Sequence, residues 1–128
     1  LDAKRDWGHA KDYVVGMWKI LQHSKPDDFV LSTGEAFSVR QFVETAFSFV
    51  NIKIKWQGKG ENEKGIDASS GKTLVKVDKQ YYRPLDVNYL CGDSSKAKKA
   101  LNWNCKFSFK DLVNEMVIND LKRNNIEL

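Results

Sequence analysis

Three apolar runs of helical period, separated by short alternating stretches, limit this 128-residue chain to a mixed α/β fold in which helices dominate. Ala10, Val14, Met17, Trp18 and Leu21 form one stripe that ends before the polar stretch His23-Ser24-Lys25-Pro26, predicting a helix over about 9–22. Val39, Phe42, Val43, Ala46, Phe47 and Val50 form a second, opened by Ser38 with Gln41 three residues later, the pattern of a capping box. That helix is expected over about 38–50. Phe109, Leu112, Val113, Met116 and Val117 make a third stripe behind Ser108 and Asp111, a second capping pair, over about 108–123. A shorter helix is predicted from Ser94 to Leu101, with Asp93 accepting hydrogen bonds from first-turn amides.

Strand signals fill the intervals. Phe29-Val30-Leu31 reads as a short buried strand, and Ile52, Ile54 and Trp56 alternate with Lys53 and Lys55 as in a half-exposed one. A third is expected at 73–77, where Thr73, Val75 and Val77 alternate with Leu74 and Lys76. Between them, Gln57 to Lys72 holds four glycines and six charged residues and shows no periodicity, so it reads as a long functional or mobile loop. The chain carries no internal repeat or low-complexity tract.

With 41% hydrophobic and 30% charged residues, the chain suits one globular unit or one piece of a larger one, and its start at Leu1 favours a piece. The net charge of +4 arises from 21 basic and 17 acidic residues scattered along the chain, which fits an anionic ligand without indicating nucleic acid. Cys91 and Cys105 follow no secretory segment, so a disulfide framework is not expected and a reducing, cytoplasmic setting is. Nothing approaches the apolar length of a membrane span.

Several chemistries are missing from the sequence. No Tyr is followed four residues later by Lys, and Gly58, Gly60 and Gly65 sit in a polar stretch rather than between a buried strand and a helix, so no dinucleotide fingerprint is formed. His9, His23, Cys91 and Cys105 lack metal-ligand spacing, and no serine has a nucleophile-elbow sequence. What stands out instead is a pair of arginines with distinctive neighbours. Arg5 lies in Asp2-Ala3-Lys4-Arg5-Asp6-Trp7-Gly8-His9, and Arg83 in Tyr81-Tyr82-Arg83-Pro84-Leu85-Asp86-Val87. A guanidinium is a planar fork of donors that stays charged at any working pH, so two converging on one cleft would hold a diphosphate.

The string Leu1-Asp2-Ala3-Lys4-Arg5-Asp6-Trp7-Gly8-His9-Ala10-Lys11-Asp12-Tyr13-Val14 resembles the carboxy-terminal third of the GDP-mannose 4,6-dehydratases, as do Tyr81-Tyr82-Arg83-Pro84, Leu90-Cys91-Gly92-Asp93 and Leu101-Asn102-Trp103. The resemblance runs nearly end to end. It implies that residues 1–128 are the smaller, sugar-nucleotide-binding lobe of an extended short-chain dehydrogenase, with few short strands, about four helices and the Rossmann half absent. Residues 29–50 would pack partly against that missing half.

By the same resemblance, Arg5 and Arg83 contact the diphosphate of a bound GDP-sugar, and Asp86 reaches the ribose hydroxyls or orients the clamp. The family usually has Glu at the position of Asp86, so a water-bridged ribose contact is an alternative. Lys4 could add charge near the phosphates. The implied reaction converts GDP-mannose to GDP-4-keto-6-deoxymannose with NADP: oxidation at C4, loss of water across C5 and C6, and return of hydride to C6. The cofactor loop and the catalytic groups would lie in the absent amino-terminal portion, leaving no catalytic or cofactor-binding residue in this chain. A homodimer or homotetramer is implied for the complete enzyme.

Plainer readings apply to other residues. His9 reads as a helix-start residue, the four tryptophans as core or edge-packing aromatics, Lys96, Lys98 and Lys99 as a solvated helix face, and Asp6 as the group holding the loop that presents Arg5. Alternatives of other classes are another nucleotide-sugar epimerase or dehydratase, a single-stranded nucleic-acid binder, and a protein-interaction module that docks through the 59–72 stretch.

Overall fold

The computed structural model describes residues 1–83 and 85–126. Four α-helices and two small three-stranded sheets occur among them, in the order β1 (Lys4–Arg5), α1 (Ala10–Leu21), β2 (Phe37–Ser38), α2 (Val39–Ser48), β3 (Ile54–Gln57), β4 (Lys64–Asp67), β5 (Thr73–Lys76), β6 (Tyr89–Leu90), α3 (Ser95–Leu101) and α4 (Phe109–Arg123). The expected α/β class, with four helices and few short strands, is what the chain adopts.

Helix boundaries follow local hydrogen-bond chemistry. At α2 the Ser38 side chain accepts from the Gln41 amide while the Gln41 side chain accepts from the Ser38 amide, and Ser108 and Asp111 do the same at α4. His9 caps α1: its Nδ1 accepts from the Lys11 amide, which leaves the proton on Nε2 to donate to Glu115 at 3.0 Å. The ring also stacks on Phe107, 4.2 Å between centroids, so His9 joins the start of α1 to α4. Asp93 accepts from the Ser95 amide at the start of α3. At its other end Asn102 is left-handed, with φ 47°, and Lys19 of α1 donates to the exposed carbonyls of Leu101 and Asn102.

Two apolar clusters hold these parts together. In one, Ala97, Leu101 and Trp103 pack with Tyr13, Ile20, Phe29, Leu31 and Cys105. Trp103 is only 1% exposed, and its indole N–H donates to the Asp12 carbonyl at 2.8 Å. Gly16 permits this approach, since a Cβ there would meet Leu31 Cδ1 at 2.6 Å and Trp103 Nε1 at 3.0 Å. Asp12, also buried, uses its carboxylate to accept from the Lys106 and Phe107 amides, fastening the segment that leads into α4. The second cluster is aromatic: Phe37 stacks on Phe109 at 4.0 Å, while Trp7 and Phe42 meet Phe109 and each other at 5.0–6.0 Å.

Three expectations are corrected. Residues 29–31 form no strand: the segment is paired with no other, and Val30 is 55% exposed. A strand exists only through a ladder partner, and among the described residues none lies alongside. The stretch 57–72 is not one long loop. It contains β4, which pairs antiparallel with both β3 and β5. The signal was hidden because Gly65 holds the position where a side chain would be expected, with Ile54, Trp56 and Val75 each 3.1 Å from a Cβ built there. The turn into β5 is fixed by Asp67, whose carboxylate accepts from Ser69 and Ser70 and is thereby held at a pKa of about 2.

Thirdly, Trp18 in the apolar stripe of α1 is not a core or edge-packing residue. Val14, Met17, Trp18 and Leu21 are all exposed, Trp18 by 60% and Leu21 by 80%, while Asp12, Tyr13, Gly16 and Ile20 make the inward contacts. Trp18 therefore departs from the core or edge-packing role expected for the tryptophans, which Trp7, Trp56 and Trp103 fulfil.

Helix α2 carries the β3–β5 sheet on its side. Arg40 makes ion pairs with Glu63 at 2.7 Å and Asp2 at 3.0 Å and lies 4.7 Å over the Trp56 ring, whose N–H donates to Glu44. No helix among the described residues is long and apolar enough to cross a membrane.

Because Trp103 combines nearly complete burial with a hydrogen bond to the α1 backbone, Trp103→Ala is expected to destabilise the fold by about 3–5 kcal/mol in urea titration. A loss under 1 kcal/mol would remove this residue from the centre of the packing.

Candidate functional site

The site is built around the middle strand of the first sheet. β1 pairs antiparallel with β2, Arg5 opposite Phe37, and parallel with β6, Arg5 opposite Leu90. The Lys4 amide extends this ladder by donating to the Asn88 carbonyl at 2.8 Å. Two distant segments, 4–5 and 88–90, are thus brought side by side. The chain reaches β6 through a turn in which the Asp86 amide donates to the Arg83 carbonyl at 3.2 Å.

That turn delivers Asp86 to Arg5. An Arg5 Nη2 to Asp86 Oδ2 ion pair of 2.7 Å joins them, and Arg5 Nη1 donates to the Lys4 carbonyl at 2.8 Å. The guanidinium, its side chain 22% exposed, is held from two sides. Two of the three sequence-derived site residues are therefore in direct contact. The third, Arg83, shares the turn through its backbone, and its side chain is exposed. No ion pair or hydrogen bond links the Arg83 guanidinium to another side chain among the described residues. Pro84, part of the same motif, lies outside the described residues. Lys4 precedes Arg5 in the two-residue strand, and strand alternation puts the two side chains on opposite faces.

Asp6 secures the platform from below. Its Oδ1 accepts from the Thr33 amide at 3.0 Å and hydroxyl at 2.6 Å, and its Oδ2 from the amides of Gly34 at 2.9 Å and Gly92 at 3.3 Å. Burial pushes this carboxyl's pKa up, but the bonds from the Thr33 hydroxyl and the Gly34, Thr33 and Gly92 amides outweigh it, and the pKa lies below its ordinary 3.8. Asp6 thereby ties the loop after 29–31 and the segment after β6 to the residue next to Arg5.

Beside Arg5 opens a cleft of about 420 Å³ lined by Asp6, Tyr13, Leu31, Ser32, Leu90 and Cys91 among others. Burial, then the charge of Asp6, raises the Tyr13 phenol, so Tyr13 stays a neutral donor. Sequence reasoning did not single out Tyr13 or Ser32 for this cleft, and their only signal was proximity to the Arg5 and Gly92 segments. A cleft of similar size, about 400 Å³, lies between Phe37, Gln41 and Phe109 and has one cation, Lys110, but no arginine. The fixed guanidinium makes the Arg5 cleft the better anion site.

Nothing among the described elements provides a cofactor cradle. Gly58, Gly60 and Gly71 have φ of +83°, +58° and +72° and belong to the β3–β4 and β4–β5 connections, not to a strand-to-helix turn. The residues present do not fit a dinucleotide.

Because Asp6 is ionised in its bonds, it stabilises the fold above the unfolded carboxyl value of 3.8, and that contribution is lost as pH falls through the lower folded value. Asp6→Asn, which turns an amide group toward amide donors, is expected to cost about 2–4 kcal/mol at pH 7. It should also flatten the acid limb of the stability profile relative to wild type. Chemical denaturation of both proteins from pH 7 to pH 2 checks this, and superimposable profiles would contradict it.

The chain has relatives over most of its length. The family model for GDP-mannose 4,6 dehydratase matches residues 1–116. The GDP-mannose 4,6 dehydratase of Dictyostelium discoideum is 53% identical over 122 residues, covering 95% of this chain and 34% of that protein. The human GDP-mannose 4,6 dehydratase is 54% identical over 122 residues, with coverages of 95% and 33%. The chain thus spans about a third of the length of these curated relatives.

Among solved structures, RMD from Pseudomonas aeruginosa complexed with NADPH superposes with a TM-score of 0.71 at 13% identity, covering 95% of this chain and 34% of that one. UDP-glucose 4-epimerase from Bifidobacterium longum, in complex with NAD+ and UDP, gives 0.66 at 21% identity, with coverages of 96% and 31%. At those identities the likeness is one of fold alone. On the family match and the two relatives together, this chain belongs to the GDP-mannose 4,6-dehydratase family.

Proposed function

We propose that this chain is the substrate-binding portion of an NADP-dependent GDP-mannose 4,6-dehydratase, and that Arg5, Arg83 and Asp86 hold the GDP diphosphate and ribose. The observation that carries the reading is the 2.7 Å Arg5–Asp86 ion pair, with Arg83 in the turn that delivers Asp86. One cation is rigid and part-shielded; the other is exposed and unengaged among the described residues. A diphosphate entering between them gains charge-assisted, fork-shaped hydrogen bonds from both.

In this reading the chain binds and orients the nucleotide end of the substrate and does not perform the reaction. NADP supplies the hydride chemistry from a lobe this chain does not contain, and the complete protein is a cytoplasmic homo-oligomer. The boundary between lobes runs along the surface made by α1 and the 29–31 segment. Two features support this: Val14, Met17, Trp18 and Leu21 form an exposed apolar stripe, and the apolar segment 29–31 has no ladder partner among the described residues. A parallel sheet in the cofactor lobe would supply that partner, which is why a sequence rich in strand formers stays unpaired here.

In a polypeptide uniting this chain with its cofactor lobe, Arg83→Ala is expected to weaken GDP-mannose binding by about 2–4 kcal/mol, measured calorimetrically. Wild-type affinity in that variant would refute the clamp. Asp86→Glu restores the family's usual residue and is expected to bind at least as well as wild type. The lobe boundary has its own check in amide hydrogen exchange. The amides of residues 29–31 are expected to exchange rapidly in this chain alone and to become strongly protected in the united polypeptide. Equal rates in both would place the boundary elsewhere.

A further inference from the structure

The β3–β5 sheet keeps its acids and its lysines apart. Trp56 of β3 faces α2, where Arg40 and Glu44 hold its ring, and the pairing places Gly65 and Val75 on that same inner face. Strand alternation then turns Lys55, Gln57, Lys64 and Lys76 outward, with Gln57 opposite Lys64 and Lys64 opposite Lys76. Lys53, two residues before Lys55, continues the row. All four lysines are exposed, and none makes an ion pair among the described residues. The acids nearby are engaged elsewhere. Glu63 pairs with Arg40, Asp67 is bound by Ser69 and Ser70, Asp78 accepts from the Gln80 amide, and Glu61 lies 3.9 Å from Lys79. Residues 53–79 hold seven lysines and four acids, so this segment supplies most of the chain's net charge of +4. Like charges directly opposite in a ladder weaken a sheet, yet Lys64 and Lys76 stand in that relation.

We propose that this outer face docks an acidic, extended peptide segment of a partner protein. Strands of four residues give a face about 13 Å long and about 10 Å across, the footprint of a few extended residues rather than of a nucleic-acid duplex. Lys53 and Lys55 stand about 7 Å apart along the chain, the interval between acidic side chains at alternate positions of an extended peptide. Lys64 and Lys76 add cations from the neighbouring strands, and the Gln57 amide supplies a donor for a backbone carbonyl. The make-up of the face argues against other polyanions. Its aromatic residue, Trp56, is turned to α2, so there is no stacking platform for single-stranded nucleic acid. No large apolar side chain between 53 and 79 is exposed, so nothing on the face enters a membrane. An acidic strand provides the counter-charge that the fold withholds, which accounts for a lysine pair that weakens the free sheet. This surface belongs to a different sheet from Arg5 and is independent of the substrate-binding reading.

The test measures binding to the polypeptide uniting this chain with its cofactor lobe, by fluorescence anisotropy of a labelled decapeptide of alternating Glu and Ser. Decathymidylate and vesicles of phosphatidylcholine and phosphatidylserine are compared with it. The decapeptide is expected to bind, and Lys64→Glu/Lys76→Glu to weaken it by about tenfold or more, because two attractions become repulsions. Lys25→Glu/Lys99→Glu makes the same change in net charge off the sheet and is expected to alter binding by less than about twofold. Affinity for GDP-mannose is expected to hold in both variants, which separates loss of docking from loss of the nucleotide site. No binding of the decapeptide by wild type, or equal losses in the two variants, overturns the proposal. Tighter binding of decathymidylate or of the vesicles, lost in Lys64→Glu/Lys76→Glu, also overturns it and assigns the face to nucleic acid or to a lipid surface. Should that variant fail to fold, Lys64→Gln/Lys76→Gln makes the same comparison, with an expected weakening of about threefold.

Discussion

The carboxylate of Asp6 is the contact on which the functional end of this molecule depends. It accepts four hydrogen bonds from Thr33, Gly34 and Gly92, residues that sequence separates widely, and it does so from the position next to Arg5. A neutral side chain could not satisfy that many converging donors, and a longer one would not leave the strand at the same height. Because these bonds favour the charged form over the effect of burial, the anion that organises the loops is also the residue next to Arg5. The placement of Arg5 is thus a property of the backbone around it.

The second organising constraint is incompleteness. An exposed apolar helix stripe and a strand-like segment without a ladder are unfavourable in isolation, yet they occur on α1 and at residues 29–31. Other parts of the chain are satisfied internally, with caps at the starts of α2 and α4, Trp103 buried against the α1 backbone and an aromatic cluster around Phe109. The proposed lobe boundary rests on these two features together. The chain's coverage of about a third of its relatives is consistent with that.

How much of this could be read from the residues depended on the range of the interaction. Local chemistry was legible: both capping boxes, the His9 helix start and the Asp93 cap are encoded within a few residues, and the structure has all of them. Pattern without context misled in three ways. The α1 stripe was a true amphipathic signal, yet Val14, Met17, Trp18 and Leu21 lie exposed. Residues 29–31 had the composition of a strand without the neighbour that makes one. β4 escaped because Gly65 removes the apolar residue that would have completed its alternation. The two-residue strands β1, β2 and β6 are too short for any periodicity, although they align Arg5 with the turn at Asp86. Motif resemblance singled out Arg5, Arg83 and Asp86. Nothing in the sequence foretold that Arg5 and Asp86 pair with each other.

The central claim is that Arg5 and Arg83 converge on one diphosphate. A crystal structure of GDP bound to a polypeptide uniting this chain with its cofactor lobe tests it most directly. Both guanidiniums are predicted within about 3 Å of diphosphate oxygens, with Asp86 beside the ribose. A diphosphate held elsewhere would contradict the account.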